Sequence, residues 1–230
     1  MMEDCYIPSD IVRPVISFQT PPIYGPDRPS FTDFAAPGFL LTIVFFLAVA
    51  LTSSALIMER QEGLLDRSYV AGVLPAEILF SHVLTQFIIM VGQTILALIF
   101  MLAVFKVKCV GNLLLVVILT LLQGLCGMCF GFVISAICTL ERDAIQMALG
   151  SFYPTVMLSG VIWPIEAMST GLMYIALFLP LTLATQALRC IMLRGWGFAW
   201  FDVYCGFIAS CAWIVIFLVL SLLILKFKKN

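Results

Sequence analysis

Charged side chains are scarce in this sequence. They make up 11% of its 230 residues, against about a quarter in soluble domains, and the net charge is −1. The shortage excludes a soluble globular protein, which needs more polar surface than this chain can supply. The absence of a basic excess excludes a nucleic-acid-binding protein. The single histidine, His82, excludes any site that requires two histidine ligands.

Sequence motifs of soluble catalysts are also missing. The chain has no G-x-x-x-x-G-K-[ST] phosphate-binding loop and no G-x-S-x-G nucleophile elbow. Residues 1–34 are polar and proline-rich and lack an apolar run after a basic start, so they do not resemble a secretory signal peptide. We therefore expect no ATP-binding site, no catalytic residues and no metal site in this sequence.

Long apolar runs are what the sequence has instead. Hydrophobic residues make up 63% of it, and the mean hydropathy is +1.13. A helix that crosses the hydrocarbon core needs about 20 apolar residues, and backbone groups in lipid must be satisfied within the helix. We predict five helical spans, over residues 35–58, 78–105, 112–139, 144–163 and 203–225.

Residues 167–188 form a sixth uncharged stretch that is weaker. It contains several hydroxyl side chains and Pro180, which removes a helical hydrogen bond. We predict an interrupted outer segment there, either re-entrant or lying at the surface as two short helices. The predicted fold is an all-α membrane protein, a polytopic helical bundle of five spans plus this segment.

Lysines at the C-terminal end indicate the orientation. Lys226, Lys228 and Lys229 follow the last span directly, so the positive-inside rule places the C-terminus in the cytoplasm. Residues 59–77 and 140–143 then lie inside, and residues 106–111 and 164–202 lie outside. Residues 1–34 become an extracellular tail. Because only a preceding span would explain that tail, we expect the chain to be the later part of a longer protein or an incomplete gene model.

The inner segment from Glu59 to Arg67 has the densest mixture of charges in the sequence. An interfacial amphipathic helix that grips a cytosolic partner and a solvated loop between spans are equally good interpretations.

Gly127 and Gly131 form a G-x-x-x-G within the third predicted span, and small residues at that spacing let helices approach closely. Packing within the chain is at least as good an interpretation as a dimer seam. Cys126 and Cys129 have a C-x-x-C spacing, but no third ligand accompanies them in this apolar helix. Three cysteines fall on the predicted outer side, and the sequence does not decide which of them would pair in a disulfide: Cys5, Cys109 and Cys190.

Polar residues within the spans are few and uncharged, and the most notable are Gln86, Gln93 and Gln123. Amides in lipid need partners, so these side chains should face the bundle, either as interhelical ties or along a substrate path. No charge lies at the centre of a span, which disfavours a proton- or sodium-coupled carrier.

Three stretches together resemble the membrane domain of ABC-2 type permeases, in particular the G-like and H-like half-transporters of animals. The first is Arg60-Gln-Glu-Gly-Leu-Leu-Asp-Arg67 followed by Val73-x-Pro75-x-Glu77. The second is Leu158-Ser-Gly-Val-Ile-Trp-Pro-Ile-Glu-Ala-Met168. The third is Leu179-Pro-Leu-Thr182, leading into Ala187-Leu-Arg189. The resemblance covers about residues 34–230, and we take residues 35–230 as the transmembrane domain.

The resemblance implies the roles of several residues. The inner loop would couple the membrane domain to a nucleotide-binding domain, and residues 140–143 would form a second contact. The coupling residues would be Glu59, Arg60, Glu62, Gly63, Asp66, Arg67, Glu141 and Arg142. The outer gate or loop would contain Trp163, Pro164, Glu166 and Pro180. The first helix of the family's six and the nucleotide-binding domain would be absent from this chain.

The expected function is the permease portion of an ATP-driven exporter in the plasma membrane, which moves lipid or another hydrophobic substrate by alternating access. ATP and magnesium would bind to a separate nucleotide-binding domain, and a second membrane half would complete a homo- or heterodimer. Two other functions stay open from the sequence. They are a truncated, non-transporting subunit that dimerises with complete transporters, and an ATP-independent carrier or channel.

Overall fold

The computed structural model describes residues 31–63, 70, 72, 75–107 and 109–228. Helices account for nearly all of this part of the chain, and no strand occurs in it. The elements are α1 (Phe31–Gln61), α2 (Pro75–Ile99), a π-helical turn (Phe100–Val104), α3 (Leu113–Ile137), α4 (Glu141–Leu158), a 3₁₀ turn (Ile165–Ala167), α5 (Thr170–Leu177), α6 (Thr182–Arg194) and α7 (Phe201–Lys228). The prediction of an all-α polytopic bundle is confirmed.

Four described helices are long and apolar enough to cross a membrane: α1, α2 with its π-helical turn, α3 and α7. They coincide with the predicted spans 35–58, 78–105, 112–139 and 203–225. Few of the side chains on α2 and α7 are buried within the chain, as expected for helices surrounded by lipid or by another subunit.

The fourth predicted span, 144–163, differs from the structure. The helix in this region, α4, begins at Glu141 and ends at Leu158, so it includes three charged residues and is not among the four spanning candidates. Glu141 and Asp143 lie in its first turn, where the helix dipole favours acidic side chains. At the other end, Gly160 adopts a φ of 76°, a left-handed conformation that favours glycine and turns the chain away from the helix.

Pro180 separates α5 from α6, and the axes of these two helices differ in direction by 87°. Thr182 N–H donates to the Leu179 carbonyl oxygen at 3.3 Å, and the Thr182 hydroxyl donates to the Ala176 carbonyl oxygen. These bonds satisfy backbone groups that the break exposes. The structure therefore contains an interruption within the predicted outer segment 167–188. If α5 and α6 are counted together as one broken span, the described helices give five spans.

Helix α3 lies between α1 and α7 at the centre of the bundle. A Cβ atom on Gly127 would collide with the carbonyl oxygen of Phe45, and one on Gly131 would lie 2.9 Å from Cβ of Thr52. The G-x-x-x-G therefore brings the backbones of α3 and α1 together, which is the packing interpretation of the motif. Gly206 has the same role where α7 crosses α6, close to Ala187.

Candidate functional site

The end of α1 is bound to the end of α3. The Arg60 guanidinium donates to the Ser135 carbonyl oxygen at 2.9 Å, and the Gln61 amide donates to the Thr139 carbonyl oxygen at 3.1 Å. The last carbonyl groups of a helix have no partner within the helix and carry the negative end of its dipole, so a cation is stabilising there. This arrangement places the predicted coupling loop beside the start of α4, where Glu141 and Arg142 lie.

Glu59 and His82 join the same end of α1 to α2. Their Oε1 and Nδ1 atoms are 3.1 Å apart, and the histidine is buried. His82 Nε2 is also buried and has no hydrogen-bond partner among the described residues. We call the six residues at this end of the bundle the charged junction: Glu59, Arg60, Gln61, His82, Ser135 and Thr139. It links α1, α2 and α3, so these helices are held together where the first predicted coupling segment begins.

The predicted coupling residues differ in their exposure. Glu62 and Arg142 are exposed, whereas Glu141 is half-buried. Gly63 adopts a φ of 66°, the left-handed conformation that commonly ends a helix, so its local role is to terminate α1. Asp66 and Arg67 lie outside the described residues. Glu62 and Arg142 are thus the exposed charges that flank the charged junction in the described part of the predicted contact.

Gln123 is completely buried and ties three elements together. Its amide nitrogen donates to the Pro180 carbonyl oxygen at 3.3 Å, and its Oε1 accepts a hydrogen bond from the Ser210 hydroxyl at 3.1 Å. The Pro180 carbonyl belongs to the break between α5 and α6, and Ser210 belongs to α7. Although Gln123 is a predicted substrate-path residue, its geometry is that of an interhelical tie.

We expect Gln123→Leu to destabilise the bundle. The substitution leaves the Pro180 carbonyl without its amide donor in a dry interior, where an unsatisfied polar group costs about 1–3 kcal/mol. Unfolding of the purified chain in mixed micelles would measure the loss. The matched control is Gln86→Leu, which removes a second buried amide for which no hydrogen bond to a described residue exists, and we expect a smaller effect. Equal losses in both variants would contradict the role of the Gln123 contacts.

Gln93 borders a cavity of about 570 Å³ between α1 and α2. Its amide nitrogen donates to the Val44 carbonyl oxygen across a long distance of 3.4 Å. The rest of the cavity wall is almost entirely apolar, including Phe39, Ile43 and Leu47 on α1. Of the three predicted substrate-path glutamines, Gln93 is the one that lines this cavity, while Gln86 does not.

The predicted outer residues lie around the α4–α6 region. Trp163 is exposed, and its indole N–H donates to the Met157 carbonyl oxygen at 3.2 Å. Pro164 precedes the 3₁₀ turn, which contains the exposed Glu166. Pro180 supplies the carbonyl group that Gln123 binds. These residues shape the connection between α4 and α6, and the Pro180 carbonyl group bonds to Gln123 at the centre of the bundle.

Arg189 has a structural role that the sequence pattern did not reveal. Only 2% of it is exposed. Its guanidinium donates to the carbonyl oxygens of Phe34 at 2.9 Å and Val161 at 3.0 Å, and it lies 3.7 Å from the centre of the Phe34 ring. Arg189 thereby fastens α6 to the start of α1 and to the chain just before Trp163. In the sequence, the only sign that Arg189 matters was its position in the third of the three motifs.

Cys109 and Cys190 are both free thiols in the structure, and Cys5 lies outside the described residues. Burial raises the pKa of the Cys109 thiol above its ordinary value, although a hydrogen bond with the Gly111 backbone partly offsets this. Cys126 and Cys129 are buried in α3. No cluster of potential metal ligands occurs in the described part of the chain, and these two thiols face the core.

The apolar helices and the broken segment define a polytopic integral membrane protein. The family model described as "ABC-2 type transporter" matches residues 14–193, and the chain belongs to this family.

Three curated relatives illustrate the relationship. The chain is 33% identical to ABC transporter G family member 20 of Dictyostelium discoideum, over 96% of this chain and 30% of the relative. It is 29% identical to G family member 23 of the same organism, over 84% of this chain and 27% of the relative. It is 24% identical to the probable multidrug ABC transporter permease YbhR of Escherichia coli (strain K12), over 70% of this chain and 44% of the relative. The chain thus spans less than half the length of each relative.

Proposed function

We propose that this chain is the permease portion of an ATP-driven exporter. ATP and magnesium would bind to a separate nucleotide-binding domain, and a second membrane half would complete the transporter. The chain's own residues would contact that domain, transmit its movement and enclose the substrate. Family membership supports the general role, and the names of the similar proteins, which include ABC transporters and a permease, agree with it.

The charged junction is the observation that best supports coupling. Through Arg60 and Gln61, the end of α1 is bonded to the end of α3, and through Glu59 it is bonded to α2. A force on the loop after Gly63 would therefore reach three helices at once. Such a connection favours a rigid-body switch between inward- and outward-facing states over the movement of one helix.

Exposed charges would form the contact with the nucleotide-binding domain. Glu62 at the end of α1 and Arg142 at the start of α4 carry opposite charges and are exposed. By the positive-inside rule this side is cytoplasmic, as is the C-terminus, and the plasma membrane is the expected location. Lipids or other hydrophobic molecules are the proposed substrates, since long apolar helix faces are open on α2 and α7.

We expect Glu62→Ala and Arg142→Ala each to uncouple the transporter without unfolding it. A charge-assisted contact contributes about 1.5–3 kcal/mol, so its loss should weaken binding of the nucleotide-binding domain about tenfold or more. The transporter would be purified with its bound partners, and substrate-stimulated, vanadate-sensitive ATP hydrolysis would be measured in liposomes.

Asp202→Ala is the matched control, because Asp202 is an exposed carboxylate at the opposite end of the bundle. It should retain wild-type hydrolysis, and all three variants should keep wild-type thermal stability. Wild-type coupling in both Glu62→Ala and Arg142→Ala would argue against this contact. Substrate transport that continues in liposomes without ATP would overturn the exporter itself and favour a carrier or channel.

A further inference from the structure

Four aromatic side chains lie close together in the short connection between α6 and α7. Residues 195–201 read Gly-Trp-Gly-Phe-Ala-Trp-Phe and contain no charge, although a charged residue borders them at each end, Arg194 and Asp202. We call residues 195–201 the aromatic loop. Three of its rings are more than half exposed: Phe198, Trp200 and Phe201. A contiguous exposed apolar patch of this kind marks a binding surface.

The rings of the aromatic loop are held in a fixed arrangement. Trp196 and Trp200 stack with their ring centres 4.4 Å apart and their planes at 12° to each other. The Arg194 guanidinium lies 4.4 Å from the centre of the Trp196 ring, which adds a cation–π contact. Phe198 packs edge-on against Phe207 of α7, with ring centres 5.3 Å apart. The loop therefore presents a preformed apolar surface that is joined to both helices.

The surface of the aromatic loop continues along one face of α7. Phe201 is the first residue of that helix, and residues that follow it at intervals of seven lie on the same face, because seven residues make nearly two helical turns. All the described residues of this series are at least 59% exposed: Phe201, Ile208, Val215 and Leu222. Helix α7 is long and apolar enough to span a membrane, and few of its side chains are buried within the chain. One apolar strip thus runs from the spanning part of α7 onto the loop.

The depth of the aromatic loop in the membrane follows from the length of α7. The segment Phe201–Ile224 has 24 residues and is about 36 Å long at 1.5 Å per residue, whereas the hydrocarbon core is about 30 Å thick. Asp202 and Lys226 lie at its two ends, and a charged side chain is costly inside the core. Phe201 is therefore at the edge of the core, and the loop that precedes it lies just beyond that edge, at the level of the lipid headgroups.

Neither water nor the hydrocarbon core suits this loop. Residues 195–200 are not helical, so their backbone N–H and C=O groups lack the regular internal partners that the core demands. The exposed rings, in contrast, are stabilised by leaving water. The headgroup layer meets both requirements because it supplies polar partners beside an apolar region, and tryptophan is enriched there in membrane proteins. The opposite charges of Arg194 and Asp202, which border the loop, also complement a layer of phosphate and ammonium groups.

We propose that the aromatic loop binds the boundary between headgroups and acyl chains of a zwitterionic phospholipid leaflet, and so anchors the joined ends of α6 and α7 at a fixed depth. The rings of Phe198, Trp200 and Phe201 would enter the boundary, and Trp196 would support Trp200 through their stacking contact. The anchoring depends on where the loop lies in the bundle, whichever side of the membrane is cytoplasmic. It therefore stands apart from the coupling proposal.

Depth-dependent quenching of tryptophan fluorescence tests the proposal. The chain has 4 tryptophans, and replacing the others with phenylalanine leaves only Trp200 or only Trp213 as the fluorophore. Trp213 lies 12 residues beyond Phe201 in α7 and hence about 18 Å deeper in the membrane. The full chain would be reconstituted in phosphatidylcholine nanodiscs that contain lipid brominated either near the glycerol or near the chain end. The shallow bromine should quench Trp200 about twofold more strongly than the deep one, and Trp213 should show the reverse order.

Polar substitutions within the loop should withdraw Trp200 from the boundary. Phe198→Ser combined with Phe201→Ser should lower the shallow quenching of Trp200 about twofold, because the neighbouring rings no longer favour the lipid. The matched control is Phe105→Ser, which removes a ring that is 63% exposed, against 66% for Phe201. The segment after Phe105 is bonded to the end of α6, so both rings lie at the same end of the bundle, and this control should leave the quenching unchanged. The unaltered loop in the single-tryptophan proteins decides the matter if the serine variants fail to fold.

Quenching of Trp200 that is equal at both depths, or stronger from the deep bromine, would overturn the proposal, because the loop would then not lie at the boundary. Absence of quenching by either lipid would overturn it as well. Iodide in the aqueous phase would then give the reason: quenching by iodide means that the loop lies in water, and no quenching means that a second copy of the chain or another protein covers it. The measurement requires neither ATP nor a nucleotide-binding partner, so its failure and a failure of coupling are distinguishable.

Discussion

Gly127→Ala is expected to lose about 3 kcal/mol of stability, although it adds one methyl group. That methyl would meet the carbonyl oxygen of Phe45, and a backbone atom in a packed helix cannot move aside as a flexible side chain can. Overpacking of this kind typically costs about 1–3 kcal/mol, and the upper end applies where the obstacle is backbone. Unfolding in mixed micelles, followed by circular dichroism, would measure the change.

Gly92→Ala is the matched control for that substitution. Gly92 also lies within a spanning helix, but no atom lies within 4 Å of the position that a Cβ atom would take there. Alanine there should be neutral or stabilising by about 0.5–1 kcal/mol, because it reduces the freedom of the unfolded chain. If Gly127→Ala were as stable as Gly92→Ala, the close contact between α1 and α3 would be incorrect.

Arg189→Leu should be the most damaging substitution of a charged residue, with an expected loss of about 3–5 kcal/mol. It removes the donors that satisfy the Phe34 and Val161 carbonyl groups, and both of the lost hydrogen bonds are made by a charged donor. Arg189→Lys keeps the charge but lacks the planar fork that reaches both oxygens, so its loss should be intermediate. Thermal unfolding, with protease accessibility of the chain near Trp163 as a second readout, would establish the order.

Arg194 provides the comparison on the same helix. It is only half-buried, and its guanidinium lies 4.4 Å from the centre of the Trp196 ring. A partly exposed cation–π contact contributes about 0.5–1 kcal/mol, and Arg194 also has a hydrogen bond with Cys190, so Arg194→Leu should cost less than Arg189→Leu. A loss as large as that of Arg189→Leu would mean that removal of any arginine from α6 is harmful, whatever its contacts.

Charge spacing predicted most of the spans because lipid tolerates charge poorly. The gaps between charged residues correspond to α1, α2, α3 and α7, whose ends are set by this exclusion. The same reasoning put the start of the fourth predicted span at residue 144, whereas α4 begins at Glu141 and includes the charged residues up to Asp143. A helix end tolerates charge when it projects from the apolar layer, and a charge count alone cannot distinguish the two cases.

The sequence did not predict which residues far apart along the chain contact each other in the fold. Pro180 predicted the break between α5 and α6, because the effect of a proline on helical hydrogen bonds is local. Gln123 gave no sign that its partners would be Pro180 and Ser210, which are 57 and 87 residues away along the chain. Gly127 likewise identified a close approach without identifying α1 as the neighbour. Local chemistry predicts elements, whereas partners depend on the tertiary arrangement.

The π-helical turn at Phe100–Val104 determines which side chains of α2 face the cavity between α1 and α2. A π-helical turn accommodates one more residue than an α-helical turn, so it rotates everything beyond it by roughly 100° about the helix axis. Phe100 and Met101 in the turn and Phe105 after it all reach the cavity wall. A one-residue deletion within the turn would therefore leave the amino-acid sequence around it almost unchanged. It would nevertheless change which of the following side chains face the cavity. Insertions and deletions, more than substitutions, are the genetic changes to which this wall should be most sensitive.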